Sequence, residues 1–271
     1  MRTILRDHSE ERIIPAIEEN LAAWLPIFGR LGEYHENNPA GVRRSITDIP
    51  FPLLNSIMDA RLGQEQVEQV IQAVLADASR LKVPLLWWIG PSTLPADLGK
   101  RLEEHGFSLD DRDPGMAVDL TSLRGNVPAV ENLEIRLAEN DDLQRQWGYA
   151  MAAGFEVPPE ADFVVTAWQR ILKMIDRDSV LVFLGLMNGK PSSTSLLFPA
   201  AGVAGIYSVA TIPGERRKGI AAALVQHSLL HARSLGYEIG VLESSSRGYN
   251  IYSNLGFQQC CTICSYRWRP G

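Results

Sequence analysis

The stretch from Ile206 to Phe257 constrains the fold of this chain more than any other. An apolar run suited to a strand is broken at Pro213-Gly214, Arg216-Arg217-Lys218-Gly219-Ile220-Ala221 then opens a helix, and a second strand-like run spans Glu238 to Glu243. Tyr252-Ser253-Asn254-Leu255-Gly256-Phe257 closes the segment. Ile220, Leu224, Ser228, Ala232 and Leu235 recur at helical spacing, which predicts a helix from about Gly219 to Leu235 with one narrow apolar face, stopped by Gly236.

The start of that helix has the chemistry of an anion site. Backbone N–H groups at a helix N-terminus lack intrahelical partners, and the helix dipole adds partial positive charge there, so a diphosphate gains hydrogen bonds and charge stabilisation together. Gly219 removes the Cβ that would hold a phosphate off the backbone, and Arg216, Arg217 and Lys218 add cationic donors. Two other phosphate loops are excluded by spelling. Gly214 and Gly219 have Walker A spacing, but Ile220-Ala221 stands where Lys-Ser or Lys-Thr is needed, and no Gly-x-Gly-x-x-Gly follows a strand.

Arg216-x-x-Gly219-x-Ala221 followed by Tyr252-x-x-x-Gly256-Phe257 resembles the acetyl-coenzyme A site of the GNAT superfamily of N-acetyltransferases. The resemblance covers about residues 132–268 and implies an α+β GNAT fold, a mixed and mostly antiparallel sheet flanked by helices. It implies acetyl-CoA as cofactor, held by Val209, Ala210 and Thr211 on a bulged strand, by the loop residues Arg216, Arg217, Lys218, Gly219, Ile220 and Ala221, and by Ser245, which stands where the family often has Asn. It further implies direct acyl transfer to an amine, with Tyr252 giving a proton to the departing sulfur. Ala204 to Ile212 contains no acid, so the family's strand glutamate has no counterpart, and Glu243 is the nearest candidate base. The loop Gly154 to Glu160 stands where the family selects its acceptor, and Phe155 and Glu156, with Glu160, form a candidate rim for a small-molecule or peptide amine. A non-catalytic acyl-CoA sensor is the alternative that the missing strand acid keeps open.

Leu133 to Met187 and the strands beyond it supply a complete second domain, residues 129–271, after the polar linker Thr121 to Pro128. Residues 1–128 repeat part of the plan. Leu53–Met58 reads as a strand, Glu65–Leu81 as a helix, Pro84–Ile89 as a buried strand, Ala96–His105 as a helix, and Gly106-Phe107 follows as Gly256-Phe257 does later. Aligning Leu81 with Leu235 places Leu62 and Glu65 where Arg216 and Gly219 stand, and Leu102 where Tyr252 stands. The first copy therefore reads as a degenerate GNAT-like domain without the cofactor loop.

Composition narrows the remaining classes. With 271 residues, 45% hydrophobic and 21% charged, the chain suits a globular protein. Its whole excess of negative charge, −6, falls in residues 1–128, which argues against a nucleic-acid partner. No apolar run reaches the ~18 residues of a membrane helix, and no signal-peptide pattern follows Met1, so a cytoplasmic location is expected. Cys260, Cys261 and Cys264 crowd one predicted strand without a fourth ligand, and His227 and His231 lack an intervening Glu, so no metal site is expected.

Overall fold

The computed structural model describes residues 3–31, 41–123, 127–158, 162–175 and 179–271. Two compact units form, a smaller one of Ile14–Gly115 with Gln259–Gly271, and a larger one of Met1–Ile13 with Met116–Gln258.

In the smaller unit, α1 (Glu10–Trp24) is followed by β1 (Arg43–Ser45), β2 (Ser56–Met58), α2 (Val67–Leu81), β3 (Leu85–Ile89), α3 (Leu98–Glu104) and the first part of β4 (Ser108–Asp119). Strand β2 runs antiparallel to β1 and parallel to β3. Helix α2, within the span Glu65–Leu81 expected to be helical, buries Val67, Val70, Ile71, Val74 and Ala78 as one i, i+3, i+4 stripe. Strand β2 is shorter than the expected Leu53–Met58 because Pro52–Leu54 forms a 3-10 turn, which the buried Asn55 ties down by donating to the Ile49 and Phe51 carbonyls.

The larger unit holds β5 (Leu133–Leu137), α4 (Asp141–Gly154), α5 (Phe163–Met174), β6 (Leu181–Met187), β7 (Lys190–Ala200), β8 (Val203–Thr211), α6 (Ile220–Ser234), β9 (Ile239–Glu243) and α7 (Tyr249–Asn254). Strands β5 to β8 form an antiparallel meander in chain order, and β9 joins β8 in parallel after the α6 crossover. Asn188 and Gly189, with φ of 49° and 76°, make the expected β6–β7 hairpin turn. Helix α6 presents a wider face than expected, since Val225 and Leu229 are buried beside Ile220, Leu224, Ser228 and Ala232; Leu235 caps its end, half exposed.

The units divide the chain elsewhere than at residues 128 and 129. Met116, Val118, Leu120 and Leu123 are buried in the apolar core of the larger unit, and the last strand, β10 (Gln258–Trp268), pairs antiparallel with β3 and packs Tyr266 and Trp268 on the core of the smaller one. Burial assigns these segments, and it overrides the polar stretch that marks a linker in the sequence. Arg124–Asn126 of that stretch lie outside the described residues.

Within the two units the same backbone devices recur. The Val83 N–H donates to the Ala78 carbonyl at 3.0 Å and the Tyr237 N–H to the Ala232 carbonyl at 3.2 Å, with Lys82 (φ 55°) and Gly236 (φ 93°) in the left-handed region between. Phe107 N–H to Leu102 O, at 3.1 Å, matches Phe257 N–H to Tyr252 O, at 3.0 Å, across Gly106 (φ 83°) and Gly256 (φ 94°). These are the pairings that the aligned sequences specify.

Candidate active site

The residues between β8 and α6 turn twice. Pro213–Glu215 forms a 3-10 turn, Arg217 and Gly219 take φ of 63° and 79°, and α6 begins at Ile220. Among the described residues no backbone carbonyl accepts from the N–H groups of Arg217 to Ala222, so consecutive donors collect at one helix start. A Cβ on Gly219 would meet only Val130 Cγ2, at 3.6 Å; the backbone angle, rather than crowding, calls for glycine here.

Strand β8 is bulged where the resemblance implies. Thr194 pairs with Ala210 and Leu196 with Tyr207, so Ser208 and Val209 oppose Ser195 alone, and Ser208 adopts φ 49°. The hydroxyl of Thr194 donates to the Ser208 carbonyl at 2.7 Å and fixes the bulge. The described ladder between β8 and β9 consists of Ala204 with Gly240 and Gly205 with Val241, while β8 runs on to Thr211. Past Gly205 the two strands carry no described ladder, which leaves the β9-facing backbone of Val209–Thr211 available to a ligand.

Tyr252 comes from α7 and is 8% exposed, set edge-to-face on Phe257 with centroids 5.8 Å apart. Burial pushes its phenol up to about 12. The close neighbour on its other side is Gly248, where a Cβ would lie 2.6 Å from the ring, so a glycine that the motif does not include is needed to seat the tyrosine.

A family profile for "Acetyltransferase (GNAT) domain" matches residues 134–260. Residues 134–260 are a GNAT acetyltransferase domain. No curated protein sequence matches the chain. Among solved structures the chain is similar to a GCN5-related N-acetyltransferase from Kribbella flavida, at TM-score 0.71 and 18% identity over 94% of this chain and 96% of that one. It is also similar to a GCN5-related N-acetyltransferase from Sphaerobacter thermophilus, at TM-score 0.60 and 22% identity over 80% and 74%, and to a tandem GNAT protein from the clavulanic acid biosynthesis pathway, at 0.53 and 14% over 80% and 75%. These likenesses show the fold: mixed α+β and GNAT-like, shared with a tandem GNAT protein over 80% of this chain.

Not every candidate in the GNAT domain has its side chain at the loop mouth. The guanidinium of Arg216 turns inward, donating to the Thr211 carbonyl at 3.1 Å and the Gly154 carbonyl at 2.8 Å, and lies 3.4 Å from Glu156. Lys218 pairs with Glu215, and Arg217 is exposed, without an ion pair among the described residues. Glu156, placed in the acceptor rim by the sequence, is held by Arg216 and Arg247, and the Arg216 charge first of all lowers its carboxyl below the usual range. Phe155 ends α4 with 53% of its surface exposed; Pro159 and Glu160 lie outside the described residues. The Ser245 carbonyl accepts from the Gly248 and Tyr249 N–H groups and so starts α7, while its side chain is exposed.

Glu243 ends β9. The parallel register sets it level with Tyr207, both two residues past the Gly205–Val241 pair. Burial, and then the Glu243 charge, push the Tyr207 phenol well above its ordinary value. Tyr207 did not stand out in the sequence because alternation along one strand does not say which residue of a neighbouring strand lies beside it. Cys260, Cys261 and Cys264 form no disulfide, and no metal-binding cluster occurs among the described residues. His227 and His231 instead pack edge-on against Phe183, at 5.2 and 5.5 Å.

Arg216→Gln tests the bridging role of this side chain. Losing two charge-assisted bonds to part-buried carbonyls should lower stability by about 1–3 kcal/mol, read from urea unfolding of the full chain. Unchanged stability would mean the bridge carries no weight.

Proposed function

We propose that the protein is an acetyl-CoA-dependent N-acyltransferase that moves an acetyl group directly to a primary amine of a small molecule or peptide. The carrying observation is the joint presence of unpaired N–H groups at the α6 start and a bulged, splayed β8 beside it. Diphosphate oxygens suit the first feature and an amide-bearing arm suits the second. When bound, the cofactor supplies the acetyl group as an activated thioester.

The chain's own residues would do the rest. Arg217, Lys218 and the N–H groups of Gly219, Ile220 and Ala221 hold negative charge at the helix start. The backbone of Val209, Ala210 and Thr211 pairs with the arm and aligns the carbonyl that is attacked. Glu243, beside Tyr207, takes a proton from the acceptor ammonium, directly or through water, because only the neutral amine is nucleophilic. Tyr252 holds its proton at Oη throughout the neutral range and offers it to the departing thiolate. Phe155 and Glu156 border the acceptor side, with Arg216 setting the orientation of Glu156. No helix among the described residues is long and apolar enough to cross a membrane, and a cytoplasmic location belongs to the same proposal, supported by three cysteines that form no disulfide. A screen of amine acceptors with thiol release as readout tests the reading; no turnover of any amine by a protein that binds coenzyme A would favour a sensor instead.

The smaller unit is proposed to bind no coenzyme A. At the equivalent helix start it carries Gly63-Gln64-Glu65-Gln66 and an acid, Glu68, in the first turn of α2, a combination that repels a diphosphate. Calorimetric titration of the full chain should give one coenzyme A per chain; two would overturn this assignment.

A further inference from the structure

We propose that the smaller unit carries a second binding site, for a small organic ammonium compound, in the cavity at the carboxyl ends of β2 and β3. Residues of α1, of β1, β2 and β3 and of the segments after β2 and β3 line it, among them Glu18, Arg43, Met58, Asp59, Arg61 and Trp88. The carboxyl ends of adjacent parallel strands are where open α/β sheets take ligands, and β2 and β3 are such a pair. The volume is about 200 Å³, below the ~300 Å³ at which drug-sized pockets begin, so the occupant is small.

The charges decide its sign. Asp59, at φ 51°, is shared by Arg43 and Arg61, each at 3.1 Å, and Arg61 also donates to Ser92 Oγ at 3.1 Å. These cations are committed. Glu18 is not neutralised in this way: its Oε1 accepts the Ser92 N–H at 3.0 Å, but its Oε2 is buried and no described group donates to it. A buried carboxylate oxygen without a donor is costly, and a cationic N–H donor in the cavity removes that cost. The arrangement depends on Gly90, since a Cβ there would collide with Glu18 Oε1. Met58 and the half-buried Trp88, whose indole N–H is fixed on Ser56 Oγ at 3.2 Å, also line the cavity and supply apolar surface suited to the carbon substituent of an ammonium ion. Glu19 also lines the cavity, which leaves its carboxylates in excess over its arginines.

The site stands apart from the cofactor reading, because every residue that lines it belongs to the smaller unit. Full-length protein titrated with isobutylammonium chloride should show a saturable shift of the Trp88 indole N–H resonance, assigned by its loss in Trp88→Phe, with a Kd of about millimolar. Isobutanol and isobutyrate should leave the resonance in place. Glu18→Gln, which keeps the shape, should weaken binding by at least ~10-fold, on the order of 1.4 kcal/mol. Glu243→Gln should leave the titration as it is, which separates this site from acceptor binding in the GNAT domain. The proposal is overturned by no saturable shift with isobutylammonium, by equal shifts with isobutanol, or by wild-type affinity in Glu18→Gln. Should that variant not fold, the comparison of the three probes on the wild type decides alone.

Discussion

Gly219→Glu is expected to abolish coenzyme A binding while the fold survives. Two effects add. The residue sits at φ 79°, a region that costs a side-chain-bearing residue roughly 1–2 kcal/mol. The new carboxylate would also stand among the N–H donors of Arg217 to Ala222, competing for them and repelling the diphosphate; like charges ~4 Å apart at an effective dielectric near 20 repel by about 4 kcal/mol. Affinity should fall by at least ~100-fold in calorimetry. The space around a Cβ at this position is open, so circular dichroism and urea midpoint should show a folded variant of only slightly lower stability. A folded variant with wild-type affinity would remove the loop from the binding site.

The second large effect is expected at Tyr252. Tyr252→Phe keeps the ring against Phe257 and Gly248 and removes only the proton donor, so coenzyme A affinity should hold while kcat falls by roughly ten- to a thousand-fold, the scale of a lost general acid. Full activity in the variant would make the residue structural. With its phenol pushed up to about 12, Tyr252 stays protonated through the working range, so a loss of rate near pH 9 in the wild type must come from another group. Stability carries the opposite signature. A folded pKa above the unfolded value near ~10 gives a contribution that is full below that value and is lost as pH rises toward about 12. Alkaline unfolding should therefore begin at a higher pH in Tyr252→Phe than in the wild type.

The motif segment was legible because its signals are local. A left-handed glycine, a helix start and a Gly-Phe turn are each set by adjacent residues, and α6 and β9 lie within a residue of their expected limits. What the sequence hid depends on distant partners. Helix α1 carries Pro15 inside it, which reads as a break, but Ala16, Ile17, Asn20, Leu21 and Trp24 are buried along one stripe, and packing outweighs the lost hydrogen bond. Strand β4 contains Asp110-Asp111-Arg112-Asp113-Pro114-Gly115, a turn-like spelling; Arg267 of β10 pairs with Asp110, and Cys261 stands where a Cβ on Gly115 would fall, so its strand character comes from a neighbour far along the chain. At the site, the inward turn of Arg216 and the pairing of Glu156 escaped notice for the same reason, since loop charges read as solvated until their geometry is known.

The passage of β10 into the smaller unit bears on how the protein is made. Synthesis proceeds from the N-terminus, yet Leu85–Ile89 of β3 must wait for Cys264–Trp268 of β10, a partner made long after it. A nascent first half must therefore hold an open sheet edge until β10 has left the ribosome, a state prone to pairing with other chains. A gene fragment beginning at residue 129 would likewise lack Met116, Val118 and Leu120 from its core and display an orphan strand, so expression plasmids that cut between the halves should yield aggregates from both products.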